Sequence, residues 1–136
     1  LSRRGPEGLE QLPGHFHRER STLLAAGVTT WAQVAKLPEE QLRALASTGV
    51  ASEARLRRIQ AQARLMGTAQ LAPEEASLLL HAGIADAQAL ADADPQRLQV
   101  QVGRLWQRLL GQASPPPPLS TVRRWIQAAA SSRSAN

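Results

Sequence analysis

Residues 23–42 and 79–98 carry the same phrase twice, 56 positions apart and without a gap. The first copy reads LLAAGVTTWAQVAKLPEEQL and the second LLHAGIADAQALADADPQRL. Leu23/Leu79, Leu24/Leu80, Ala26/Ala82, Gly27/Gly83, Ala35/Ala91 and Leu42/Leu98 are identical, and Val28/Ile84 and Val34/Leu90 stay apolar. An ungapped match at one offset predicts two versions of one helical unit, an internal duplication of period 56.

Composition narrows the fold class. A chain of 136 residues makes one domain or two small ones. With one Phe, three Trp and no Tyr, the core is assembled from Ala, Leu and Val. Such side chains suit closely approaching helices, and the β-branched and aromatic runs of strands are missing. An all-α bundle of short helices is expected. There is no cysteine, so disulfides and thiolate metal sites are excluded, which fits a cytoplasmic location. No apolar run approaches the length of a membrane span, so no integral membrane segment is expected. The start, LSRRGPEG, lacks the apolar core of a signal peptide, and beginning at Leu rather than Met fits a portion of a longer protein.

The net charge of +5 is unevenly spread. Residues 1–66 hold ten Arg or Lys against six acids, residues 67–96 hold five acids and no base, and residues 97–136 hold six Arg and no acid. Fifteen of the sixteen cations are Arg, which reflects either an Arg-rich codon usage or selection for a planar grip on phosphate or carboxylate.

Four segments are expected: a flexible lead-in at 1–8, helical segments at 9–66 and 67–130, and a frayed tail at 131–136. Gly27 should end the first helix (about 16–26) as a left-handed C-cap, with Val28 packing back. Thr29 or Thr30 caps a short helix, and Leu37-Pro38 opens the next. Ser47-Thr48-Gly49 is a break. The following helix, about 52–66, has the apolar stripe Leu56, Ile59, Ala63 and Met66. A linker is expected near Gly67-Thr68, and Pro73-Glu74-Glu75 and Asp94-Pro95 start helices in the second half. Leu98, Val102, Leu105 and Leu109 then predict one long helix, about 95–110. Pro115 to Pro118 form a stiff spacer or a proline-rich ligand, ahead of a last helix near 119–130.

The turns Leu12-Pro13-Gly14-His15-Phe16 and Thr48-Gly49-Val50-Ala51, their glycines 35 residues apart, resemble a tandem helix-hairpin-helix domain. Together with the duplicated Ala-Gly-Val/Ile phrase, the run Ala91-Asp92-Ala93-Asp94-Pro95 and the late Trp125-Ile126 helix, they make residues 9–130 similar to an uncharacterised family of such domains widespread in photosynthetic bacteria. In DNA-binding relatives a Gly-hydrophobic-Gly hairpin presents backbone N–H groups to a phosphate at a helix N-terminus, without reading bases. The resemblance implies phosphate contacts at Gly49, Val50 and Ala51 with Arg55, Arg57 and Arg58, and at Gly14 with Arg18 and Arg20. Two departures stand out. Phe16 occupies the place of the first hairpin's second glycine, and Ala51 that of the second.

No Walker sequence, nucleophile elbow or metal-ligand spacing is present, so no enzyme, cofactor or metal is expected. His15 and His17 lack a third ligand at an evident spacing. Asp86, Asp92 and Asp94 stand where carboxylates cap helices. Trp31, Trp106 and Trp125 are expected as packing anchors, while Trp106 beside Arg104 and Arg108 is a candidate protein interface. Two functions follow: sequence-independent binding of double-stranded or branched DNA through the hairpins, or a protein-interaction module that has lost phosphate contact.

Overall fold

The computed structural model describes residues 8–111 and 115–134. Most of the expected lead-in, residues 1–7, and the end of the expected tail, 135–136, lie outside the described residues. The chain is all-helical. Among the described residues, two 3₁₀ turns, Leu9–Gln11 and Gly14–Phe16, precede α1 (His17–Ala25), α2 (Trp31–Ala35), α3 (Glu39–Ala46), α4 (Glu53–Ala69), α5 (Pro73–His81), α6 (Ala87–Ala91), α7 (Pro95–Leu110) and α8 (Leu119–Ser134). No strand forms among them; one isolated antiparallel bridge links Gly8 to Thr30. The chain divides into two compact units, Leu1–Arg64 and Leu65–Asn136.

In the first unit, helix ends are closed by short-range chemistry written in the sequence. α1 stops because Gly27 takes φ +84°, a conformation that costs other L-residues about 1–2 kcal/mol. The Gly27 N–H then donates to Leu24 O at 3.0 Å and the Val28 N–H to Leu23 O at 2.9 Å, so two terminal carbonyls are satisfied and Val28 is buried. α2 begins with a reciprocal cap: Gln33 N–H donates to Thr30 Oγ1 at 3.2 Å and Thr30 N–H to Gln33 Oε1 at 3.1 Å. Its far end is closed from α4. The buried Gln60 amide donates to the carbonyls of Val34 (3.2 Å) and Leu37 (3.0 Å), and Arg64 Nε donates to Ala35 O at 3.1 Å. The expected α4 stripe of Leu56, Ile59, Ala63 and Met66 is buried throughout.

The second unit begins its helices as the sequence predicts. Pro73 opens α5, where Glu75 Oε1 accepts from the Ala72 N–H at 2.8 Å. Asp86 caps α6 through the Ala89 N–H at 2.8 Å, and Asp94 caps α7 through the Arg97 N–H at 2.9 Å. α8 packs against α6 and α7, and α5 against α7. Leu79, Leu90, Val102, Val122 and Trp125 are almost wholly buried.

Local structure recurs at the sequence offset of 56. α1 and α5 run over 17–25 and 73–81, α2 and α6 over 31–35 and 87–91, and α3 and α7 start at 39 and 95. Gly83 repeats the Gly27 turn at φ +91°, with Ile84 N–H to Leu79 O at 2.8 Å and Gly83 N–H to Leu80 O at 3.0 Å. α7 then runs unbroken to Leu110, where the first half breaks at Ser47-Thr48-Gly49.

Three local expectations need correction. Gly67-Thr68 is not a linker: α4 continues through it to Ala69, and the chain turns at Gln70 (φ 56°), where the Leu71 N–H reaches Met66 O at 3.1 Å. Closing those carbonyls outweighs the cost of one helical glycine. The final helix, expected to end near 130, runs to Ser134. Leu109 is exposed although its spacing places it on the apolar stripe of α7.

A Cβ added to Gly27 or Gly83 meets no atom within 4 Å, so only backbone conformation opposes it. Gly27→Ala and Gly83→Ala should therefore each lower the unfolding free energy by about 1–2 kcal/mol in urea titrations. Losses that differ severalfold would show that the two turns are not equivalent.

Candidate functional site

At the start of α4, the amide that follows the expected phosphate contacts Gly49, Val50 and Ala51 is bound from within the chain. Gly49 is exposed at φ +83°, and Val50 projects into solvent beside it. Ala51, at the place of the hairpin's second glycine, is only 3% exposed. Ser52 Oγ accepts from the Arg55 N–H at 3.3 Å, and Ser52 O from the Leu56 N–H at 2.9 Å, so Ser52 is the helix cap. The Ser52 N–H donates to Glu19 Oε2 at 2.9 Å. Glu19 is 2% exposed, and its other oxygen has no partner among the described residues. A carboxylate carried on α1 thus sits where helix N-termini favour an anion.

The cations around this seat also bind inside the chain. Arg57 reaches Glu39 Oε2 and Oε1 at 2.6 and 3.2 Å and Glu53 Oε2 at 2.7 and 2.9 Å. Hydrogen bonds to Glu39 and then Glu53 raise the Arg57 pKa. The bonds from Arg57, with Arg43 adding 3.3 Å away, lower that of Glu39. Arg55 Nη1 donates to His15 O at 2.7 Å, and its guanidinium carbon stands 6.0 Å from the Phe16 ring centroid. Arg58 is half-buried and also has a partner within the chain.

The two predicted hairpins therefore meet each other. Phe16 is buried, with the His15 ring tilted against it at 4.4 Å between centroids, and the Phe16 and His17 N–H groups donate to Pro13 O and Gly14 O. Gly14 is exposed with open space around it. Arg18 is exposed and Arg20 half-buried, and neither guanidinium has a partner among the described residues.

The other candidate group does not assemble as expected. Arg104 and Arg108 are exposed on α7, four residues apart on one face. Trp106 lies between them in sequence but on another side of the helix, half-buried and engaged within the chain. Trp31 and Trp125 are buried anchors, and Trp31 Nε1 has no partner among the described residues. The guanidiniums of Arg97, Arg104, Arg108, Arg123 and Arg124 are exposed and unpaired among the described residues.

Among the described residues, no group of three or more His, Asp or Glu could hold a metal ion, and no helix is long and apolar enough to cross a membrane. The comparison with protein families matches the model described as "Domain of unknown function (DUF4332)" over residues 13–132. The chain belongs to that family. The match takes in both turns, the Glu19–Ser52 contact and nearly all of α8. No curated protein and no solved structure matches the chain.

Glu19 was not legible as a site residue because it stands between Arg18 and Arg20 and reads as surface charge. One signal pointed to it: Phe16, Glu19 and Leu23 follow i, i+3, i+7, so Glu19 lies on the buried stripe of α1. Gln60 carried no comparable signal, since its partners are distant in sequence, and Glu39 showed only its local spacing to Arg43, not its bond to Arg57.

Glu19→Ala should lower the unfolding free energy by about 1–3 kcal/mol, leaving the Ser52 N–H without its acceptor. Glu19→Gln, which keeps an acceptor oxygen, should cost less; equal losses would show that the bond contributes nothing. For Glu39, a folded pKa below the unfolded value means its contribution is present above the ordinary carboxylate range. That contribution is lost as pH falls through the folded value. Glu39→Gln should thus flatten the acid side of the stability–pH curve, most clearly at low salt. An unchanged curve contradicts the pairing.

Proposed function

We propose that this chain is a non-enzymatic protein-interaction module. Its frame is of the helix-hairpin-helix kind, and the phosphate seat at the start of α4 is filled by one of its own side chains. One observation carries the reading: the Ser52 amide is held at 2.9 Å by Glu19, itself 2% exposed, where a hairpin would offer that amide to DNA. A phosphate arriving there meets a buried carboxylate and Glu53 in the first helical turn. Arg57 is already held by two carboxylates, and Arg55 by a backbone carbonyl. Binding a nucleic acid backbone at this place would require breaking these contacts. Large apolar side chains meanwhile stand in solvent, Val100 at 51% and Leu109 at 56% exposed, which suits a protein surface. The phrases at 23–42 and 79–98 read as diverged copies of one unit, the first retaining the hairpin.

Sequence-independent DNA binding remains the second reading, favoured by Arg18 and Arg20, without partners among the described residues, near the exposed Gly14. Fluorescence polarisation with unrelated duplexes separates the two. The first reading expects no more than weak binding at low salt, indifferent to Arg55→Glu with Arg57→Glu, and a stoichiometric protein partner retained after nuclease treatment. Tight, steeply salt-dependent duplex binding that those substitutions abolish would overturn it.

A further inference from the structure

α7 places Arg97, Gln101, Arg104 and Arg108 at i, i+4, i+7 and i+11, one exposed row along its outer side. At the helical rise, Arg97 and Arg104 stand roughly 10 Å apart along the axis and Arg104 and Arg108 about 6 Å. No acid occurs from residue 97 to 136, and none of these guanidiniums has a partner among the described residues. Arg97 lies in the first turn of α7, where the helix dipole disfavours a cation, so helix stability does not account for it. Beside the row an open depression of about 580 Å³ is lined by Gln96, Arg97, Val100 and Gln101, with Val100 half in solvent.

We infer that this face of α7 docks an acidic amphipathic helix of a protein partner. An apolar side chain of that helix would enter the depression against Val100, and its carboxylates would pair with Arg97, Arg104 and Arg108. A helix with Asp or Glu at i, i+7 and i+11 repeats the spacing of Arg97, Arg104 and Arg108, because both partners share one rise per residue. Arg grips a carboxylate with two parallel N–H bonds. The exposed Val100 decides for protein over a phosphate backbone, which presents no apolar group to fill the depression. This inference rests on the protein-interaction reading and names the chemistry of the partner.

The test uses the whole chain and three fluorescent probes: an amphipathic peptide with Glu at i, i+7 and i+11 and Leu on the adjoining face, a poly-Glu peptide of equal charge, and an unrelated duplex. The amphipathic peptide should bind tightest. Arg97→Glu with Arg104→Glu should weaken it about tenfold or more, and Val100→Asp should weaken it similarly, with thermal unfolding unchanged. Arg104→Gln, a milder change on the exposed face, should give a smaller loss in the same direction. Equal binding of poly-Glu, or indifference to these substitutions, overturns the assignment of this face. If a nuclease-resistant protein partner is then still retained by the Arg97→Glu, Arg104→Glu variant, only the face is wrong and the module reading stands. If the duplex binds tightest and is lost with the same substitutions, both fail.

Discussion

The hydrogen bond between the Ser52 amide and Glu19 spans 33 residues and ties α1 to the start of α4. It satisfies one of the donors that a helix N-terminus leaves open, and it does so with a buried carboxylate. Arg55 adds a second tie between the same regions, from α4 to the carbonyl of His15. The first turn and the start of α4 are thereby held together, while Gly14 and Gly49 stay exposed. Phe16 closes the first, buried beneath the Arg55 guanidinium, and Ala51 closes the second.

The same economy of polar groups governs the rest of the first unit. Gln60 is buried because two carbonyls at and beyond the end of α2 need donors, and a core of Leu, Val and Ala supplies none. Arg57 gathers Glu39 and Glu53 into an exposed network that solvent and salt weaken, so it orients side chains more than it stabilises the fold. The cations that remain without partners among the described residues include five in the second unit, on α7 and α8. The sequence places its Arg in both halves, and only the folded contacts distinguish those held internally from those without a partner among the described residues.

Local rules made much of the fold legible. Caps at Thr30, Asp86 and Asp94, the left-handed glycines at 27 and 83, and the α4 and α7 helices all follow from residues within a few positions of one another. Legibility ended where partners were distant. Glu19 on Ser52, Arg55 on His15 and Arg57 on Glu39 depend on tertiary approach, which no periodicity reports. Gly67 misled because a glycine inside a helix costs less than leaving the end of α4 open. Trp106 misled differently: proximity in sequence to Arg104 and Arg108 is not proximity on a helix, where alternate residues point apart.

The filled seat is open to direct observation at a single amide. In ¹H–¹⁵N spectra of the isotope-labelled chain, the Ser52 resonance should show slow hydrogen exchange. It should also hold its position as inorganic phosphate or an unrelated duplex is added at low salt. Rapid exchange of Ser52, with progressive, salt-sensitive shifts of Ser52 and Glu53 on adding the duplex, would contradict it and return the start of α4 to solvent and to phosphate.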